Sequence, residues 1–150
     1  MPQYAGEKMR ITADDLCTLD LLWFGIDSFG RVFSCFSGVN GNVPEFVCRS
    51  REETDLLENY FTEQAKEIGK ANFMIPWEDN FLCQDCEMFS KKGLHCFDGG
   101  ENSDRYVIIS RPTKPLMLDD VPEHIKAIMK DHIVDTDAAT AEYFKVKHAY

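Results

Sequence analysis

The sequence predicts one α+β domain, with an antiparallel sheet that is built from hairpins and packed against two to three helices. Three observations support this. At 150 residues the chain has the usual length of a single domain. Hydrophobic residues make up 44% and aromatic residues 12%, which is enough for a core. The strand patterns lie mostly in hairpins, which favours α+β over a parallel α/β sheet. No repeat or linker divides residues 1–150.

The N-terminal region is predicted to contain an arm and a short helix. Residues 1–10 are expected to form a loose arm. Thr12 can cap a helix that runs from Ala13 to about Asp20. The carboxylates of Asp14 and Asp15 would then lie beside the positive end of the helix dipole and stabilise it.

A β-hairpin and a loop follow. Residues 21–27 and 31–37 have the composition of two strands around a tight turn, in which Gly30 supplies the positive φ. The segment 37–42 reads Ser-Gly-Val-Asn-Gly-Asn, and these residue types favour a loop. Pro44 closes that loop.

The clearest local signal predicts a long helix from Arg51 to about Ile68. Ser50 and Glu53 form an S-x-x-E capping box, and the apolar residues that follow keep helical spacing. Gly69 is a suitable end for this helix. Six carboxylates are expected on its outer face: Glu52, Glu53, Asp55, Glu58, Glu63 and Glu67.

The second half of the chain continues the mixed pattern. Residues 72–77 are apolar, but Pro76 limits them to an edge strand or a loop. A second helix is predicted from Glu78 or Asp79 to Lys91, with Gly93 as its end.

The remaining elements are two strands and one or two helices. Residues 94–98 and 106–111 are predicted strands joined by the polar turn 99–104. A helix is expected over about 122–130, started by Asp119 or Asp120. Residues 138–144 are compatible with a further short helix.

The cysteines allow two interpretations. A disulfide framework suits small secreted domains without a core, so we expect most of the six thiols to be reduced core residues. The alternative is a small zinc site, because Cys83, Cys86, His95 and Cys96 have the ligand types of a tetrahedral centre. The adjacent His-Cys pair and the placement of the CxxC within a predicted helix favour core thiols. We therefore predict no cofactor.

Catalytic motifs are missing from the sequence. It contains no P-loop, no G-x-G-x-x-G, no nucleophile elbow and no H-E-x-x-H. We therefore expect no enzymatic activity and no catalytic residues. An enzyme or ligand-binding domain with an unrecognised pocket stays an alternative, because catalytic groups can assemble from distant parts of a chain.

The charge balance restricts the partners. With 26 acidic and 16 basic residues the net charge is −10. Such a surface repels nucleic acid and anionic lipid and attracts basic proteins, although many cytosolic proteins are acidic for solubility alone. No run of about 18 apolar residues and no secretory h-region occur, so a cytoplasmic location is expected.

Two blocks combine strand, turn and proline motifs in a fixed order. In the first, an aromatic strand meets a D-x-x-G turn within 23–30, and the returning strand leads to a small-residue loop and Val43-Pro44. In the second, the strand 106–112 precedes a P-x-x-P-L segment and an L-P-x-x-I-like helix start that ends at Ile125. Together these blocks resemble small bacterial immunity proteins of contact-dependent and polymorphic toxin systems. Residues 83–96 are not part of that pattern.

The resemblance implies a protein that binds and blocks a cognate toxin. Such toxins are often basic nucleases, and carboxylates of an inhibitor can occupy a phosphate-binding groove. The surface expected to make the contact is the acidic helix face with the small-residue loop: Glu52, Glu53, Asp55, Glu58, Glu63, Gly38, Asn40 and Asn42. The alternative for these residues is a solvated helix face and an ordinary turn.

Overall fold

A six-stranded mixed sheet forms the centre of the fold, with helices on both of its faces. The computed structural model describes residues 9–150, so the predicted arm falls largely on residues 1–8, outside the described part. The strands are β1 Leu22–Ile26, β2 Val32–Phe36, β3 Ala71–Phe73, β4 His95–Asp98, β5 Arg105–Pro112 and β6 Tyr143–Lys145. The α-helices are α1 Ala13–Leu16, α2 Glu45–Cys48, α3 Arg51–Asn59, α4 Phe81–Lys91 and α5 Glu123–Met129. The α+β prediction is confirmed.

The strand order is β1-β2-β4-β5, and β3 and β6 both pair with the remaining edge of β5. The two predicted hairpins, β1–β2 and β4–β5, are antiparallel. However, β2 and β4 are parallel neighbours, with Phe33 opposite His95. The sheet is therefore mixed and not antiparallel throughout as expected. The reason is that α2, α3, β3 and α4 all lie between β2 and β4, and a connection of that length can return the chain in the same direction.

Both faces of the sheet are covered, which explains the nearly continuous apolar sequence of β1 and β2. On one face, Phe24, Val32 and Cys96 pack with residues of α3, α4 and α5. On the other face, Trp23 and Phe33 pack with residues of α1, α2 and the C-terminal segment. Consecutive residues of a strand point to opposite faces, so the strands divide their side chains between these two cores.

The long helix begins where the sequence predicts and ends earlier. The Ser50 hydroxyl accepts a hydrogen bond from the Glu53 amide at 3.1 Å. After α3 the chain makes a π-helical turn, Tyr60–Gln64, and then leaves the helix, four residues before Ile68. The buried ammonium of Lys92 donates to the carbonyl oxygens of Phe61 (2.8 Å) and Thr62 (2.9 Å). These bonds satisfy carbonyls that a helix end leaves free. Because Lys92 lies about 30 residues further along the chain, the residues around the helix end could not predict this early ending.

Three other boundaries differ from the prediction. Helix α1 has only four residues, although its predicted cap at Thr12 is present. Helix α5 begins after Pro122, and Leu118–Asp120 form a separate 3₁₀ turn. The short helix considered for 138–144 does not form, because Phe144 lies in β6 opposite Tyr106 and packs against its ring.

The two parallel strands end in two loops of matching shape, 37–42 after β2 and 99–104 after β4. Corresponding residues of the loops adopt positive φ, at +66° for Gly38 and +71° for Gly100. Asn40 (+61°) and Asn102 (+55°) correspond in the same way, and the Asn40 amide donates to the Asn102 side-chain oxygen at 2.9 Å. The loops therefore support each other, and we call them the paired loops.

The paired loops generate a stability prediction. At Gly38 an added Cβ would lie 2.0 Å from the carbonyl oxygen of Gly100, whereas at Gly100 it would meet nothing within 4 Å. Gly100→Ala should therefore cost only the positive φ, about 1–2 kcal/mol. Gly38→Ala should cost more than about 3 kcal/mol, because backbone must also move. Urea unfolding of both variants measures the difference, and equal losses would contradict the loop packing.

Candidate protein-binding surface

The outer face of α3 and the turn after it display three exposed carboxylates, of which that of Glu63 interacts electrostatically with the Lys92 ammonium. Asp55, Glu58 and Glu63 are exposed, and within residues 9–150 the carboxylates of Asp55 and Glu58 accept no hydrogen bond and form no ion pair. Partial burial and the nearby charge of Asp55 raise the pKa of Glu58. Glu58 therefore ionises less readily than a fully exposed carboxyl, and an approaching cation would stabilise its charged form.

Two other predicted contact residues of α3, Glu52 and Glu53, take part in contacts within the fold. Glu52 accepts hydrogen bonds from the Met9 amide through both carboxylate oxygens, at 3.1 and 3.2 Å. Hydrogen bonds from its own amide and from Met9 lower the pKa of Glu52. Glu53 is half-buried, and its amide bonds to the Ser50 cap. Glu52 therefore holds the preceding segment in place and is a weaker candidate for partner contact than sequence reasoning suggests.

Elsewhere many carboxylates are neutralised by neighbouring cations. Glu45 is paired with Arg10 and Asp131 with Arg49. Further pairs join Arg51 to Asp15, Lys126 to Asp119, Lys145 to Asp104, and Arg31 to both Asp27 and Asp137. Such pairs contribute little stability at a surface, but they cancel charge locally. Exposed carboxylates without an ion pair in the described chain include those on α3 and, just before α4, those of Glu78 and Asp79.

The predicted loop 37–42 is held firmly by the fold. The Gly38 amide donates to the Asp20 carboxylate at 2.9 Å, and Asn40 bonds to Asn102. The Asn42 carbonyl accepts a hydrogen bond from the Tyr106 hydroxyl. These contacts fix the loop at the carboxyl ends of β2 and β4. A loop held in this way would lose little conformational freedom when a partner binds.

Beside this loop lies a small pocket that the sequence analysis did not predict. Its volume is about 200 Å³. It is lined by Asp20, Phe36, Phe81, Leu82, Asp85 and Asp98, and we call it the Phe81 pocket. Burial raises the pKa of Asp85. Burial also raises the pKa of Asp98, the Gly100 amide lowers it, and the like charge of Asp20 raises it further. A cation in the pocket would relieve this repulsion.

Phe81 is the most exposed large apolar residue described, with 85% of its surface accessible. It is the first residue of α4, and the Asn80 side chain caps that helix by accepting from the Cys83 amide at 2.9 Å. At about 100° per residue, Phe81 lies roughly 200° around the helix from the buried Cys83. The sequence did contain a signal for this exposed residue, because Phe81 is an aromatic residue outside the apolar stripe of the predicted helix.

The four residues of the proposed zinc site are not brought together. Cys86 and Cys96 form a disulfide between α4 and β4, with their Cα atoms 5.6 Å apart. His95 precedes Cys96 in a strand, so its side chain points to the opposite face of the sheet. In the described part of the chain, no group of three or more potential ligands could hold a metal ion. The expectation of reduced thiols is also wrong for Cys86 and Cys96, because their partner across the core was not evident from spacing.

Several buried polar atoms lie away from these surfaces. Burial lowers the pKa of His95 to about 4 and lowers that of His132. His95 Nδ1 and His132 Nε2 have no hydrogen-bond partner among the described residues. Both imidazoles are therefore uncharged near neutral pH, and they add no positive charge that would offset the acidic surface.

An open groove of about 510 Å³ lies between α2 and the C-terminal segment. It is lined by charges of both signs, including Glu45, Asp135, Lys145 and Lys147. It therefore lacks the excess of carboxylates found on the α3 face and in the Phe81 pocket.

None of the described helices is long and apolar enough to cross a bilayer.

The chain matches no family model, and comparisons with curated proteins and with solved structures gave no match. The resemblance to immunity proteins thus stays a hypothesis that rests on the sequence motifs. The function must be argued from the surface itself.

The disulfide gives a testable thiol count. Without reductant, the unfolded protein should titrate four thiols, those of Cys17, Cys35, Cys48 and Cys83. A disulfide that spans ten residues stabilises by about 2–3 kcal/mol in the chain-entropy model. Reductant should therefore lower the free energy of unfolding of the wild-type protein by about that amount.

Two variants control this measurement. The double variant Cys86→Ala, Cys96→Ala should be insensitive to reductant. Cys83→Ala removes a buried free thiol from the same helix and should keep the wild-type sensitivity. Six titratable thiols in the untreated protein, or equal effects of reductant on all three proteins, would contradict the disulfide.

Proposed function

We propose that this chain is a non-enzymatic protein-binding module, an immunity-type inhibitor that neutralises a cognate bacterial toxin with a basic surface. The observation that carries the proposal is the exposed face of α3 and its π turn. There Asp55 and Glu58 form no ion pair in the described chain, and Glu63 is exposed beside them. The sequence motifs that resemble immunity proteins supply the biological class, and the charge supplies the chemistry.

The negative charge of this chain is complementary to a basic partner. A protein of net charge −10 attracts a basic partner over about one Debye length, roughly 8 Å at physiological ionic strength. Carboxylates on the inhibitor can take the place of substrate phosphates in a nuclease groove. The α3 carboxylates are suited to this role because binding would pair them without first breaking ion pairs within the inhibitor.

The residues of the zinc-binding alternative cannot act together as ligands, because Cys86 and Cys96 form a disulfide and the side chains of His95 and Cys96 point to opposite faces of the sheet. An enzymatic alternative lacks a specific observation in its favour in residues 9–150. We therefore propose neither.

Co-expression tests the proposed function. If a large secreted protein is encoded next to this chain, its variable C-terminal domain is the toxin to use. We expect that the chain restores the growth of cells that express the toxin domain, and that the two proteins co-purify. If growth is not restored and the proteins separate, the inhibitor hypothesis is wrong.

The role of α3 gives a sharper prediction. The double variant Asp55→Asn, Glu58→Gln should bind the toxin domain with an association rate constant reduced roughly threefold or more at low salt. The difference should shrink at high salt, because steering is screened. The rate constants can be measured by stopped-flow or surface plasmon resonance at several salt concentrations.

The matched control is Asp135→Asn, Glu142→Gln. It changes the net charge by the same amount at exposed residues away from α3. If this control slows association as much as the α3 variant, net charge alone is responsible. Association that does not depend on salt would exclude the acidic face as the contact.

A further inference from the structure

We propose that the Phe81 pocket receives an arginine or lysine side chain of the partner, and that this anchor, with Phe81 beside it, is the energetic centre of the interface. The inference rests on the proposed function, since it assumes a basic protein partner. It concerns a different surface from the acidic face of α3, and none of the pocket residues belongs to the contact set predicted from the sequence.

The shape of the region supports an anchor. Phe81 stands between two depressions of about 200 Å³ and 350 Å³ and lines both of them. The smaller one has an apolar floor formed by Phe36 and Leu82. The aliphatic part of an arginine or lysine side chain can lie on such a floor while its charged end reaches the rim. Binding energy in protein interfaces is concentrated at aromatic residues and in pockets of this kind.

The charges of the pocket select the occupant. Asp20, Asp85 and Asp98 converge on it, and no cationic side chain of the described chain lines it. The aromatic faces of Phe36 and Phe81 attract cations in addition to the carboxylates. An aliphatic anchor would remove these carboxylates from water without supplying a cation, and an acidic anchor would be repelled. A basic side chain is the chemistry that satisfies all the lining groups together.

The rigidity of the surroundings also favours binding. Asp20 is held by the Gly38 amide at 2.9 Å, and Asp98 accepts from the Gly100 amide at 3.4 Å. The paired loops thus position one carboxylate each. The third carboxylate, Asp85, and Phe81 lie on α4, which the Cys86–Cys96 disulfide fixes to β4. The pocket is therefore formed before the partner arrives, which lowers the entropic cost of association.

The residues just before Phe81 also offer an aromatic ring and carboxylates to a basic partner. Trp77 is 48% exposed, and Glu78 and Asp79 between it and Phe81 are also exposed. Residues 77–81 therefore present two exposed aromatic rings with two exposed carboxylates between them. A basic peptide segment that fills the Phe81 pocket would meet these groups next.

A peptide titration followed by NMR tests the proposal without knowledge of the partner. The probe is an acetylated, amidated (Gly-Arg)₄ peptide, and its control is the same peptide with citrulline, the uncharged analogue of arginine. We expect saturable shifts of amides at 79–86 and 98–100 with the arginine peptide. The citrulline peptide should produce no saturable shifts.

Two variants identify the groups responsible. Phe81→Ala and Asp98→Asn should each weaken peptide binding by about tenfold or more. Phe81 is exposed, so its removal should leave the fold intact. Asp98→Asn should also leave the free energy of unfolding at neutral pH equal to or above that of the wild type, because a buried carboxyl with a raised pKa destabilises the folded state when it is ionised. The matched control is Leu56→Ala, which removes an apolar side chain that is 41% exposed on α3. It should bind the peptide like the wild type.

Three results would overturn the inference. The first is shifts that follow the α3 carboxylates and not the pocket, and the second is equal affinity of the arginine and citrulline peptides. The third is a wild-type dimer that Phe81→Ala dissociates, since it would assign the pocket to a second copy of this chain. The proposed function can fail separately. If the chain binds the arginine peptide through the pocket but neither rescues growth nor co-purifies with the toxin domain, the pocket is a site for basic side chains and the toxin hypothesis is wrong.

Discussion

Strands β2 and β4 are parallel neighbours, and this pairing determines where the connecting helices, the loops and the disulfide lie. It places these two inner strands side by side in register with inner strand β5 on the other side of β4, so the ends of β2 and β4, Phe36 and Asp98, lie opposite each other. The chain can achieve this only with the long connection that contains α2, α3 and α4. Two of those helices then cover one face of the sheet, and the disulfide between Cys86 and Cys96 joins α4 to the second strand of the parallel pair.

The candidate surfaces follow from this pairing. Because both strands end at the same edge of the sheet, the paired loops meet there, and each directs a glycine amide towards a carboxylate of the Phe81 pocket. The opposite end of the hairpin is stabilised differently. Asp27 is buried and accepts hydrogen bonds from Arg31 and from the Ala138 amide, which fixes the C-terminal segment to the turn. The carboxylate at that end therefore has a structural role, whereas those of the pocket and of α3 are available to a partner.

Local signals in the sequence predicted local structure well. The Thr12 and Ser50 caps, the hairpin around Gly30 and the end of α4 at Gly93 all depend on residues within a few positions of each other. The parallel pairing, the disulfide and the Lys92 contacts join residues whose proximity only the complete fold determines. Helical periodicity predicted the exposed carboxylates Asp55 and Glu58 of α3, but it also placed Glu67 on this helix, which ends before that residue. The Phe81 pocket could not be predicted, because Asp20, Asp85 and Asp98 come from three separate elements.

Hydrogen exchange of the complex with the toxin domain would locate the contact. Binding through the acidic residues of α3 and through the Phe81 pocket should slow exchange at residues 51–64 and 79–86, with little change along the groove formed by residues 44–46 and 145–149. Protection confined to that groove, with α3 and the start of α4 unaffected, would show that neither acidic surface is the contact.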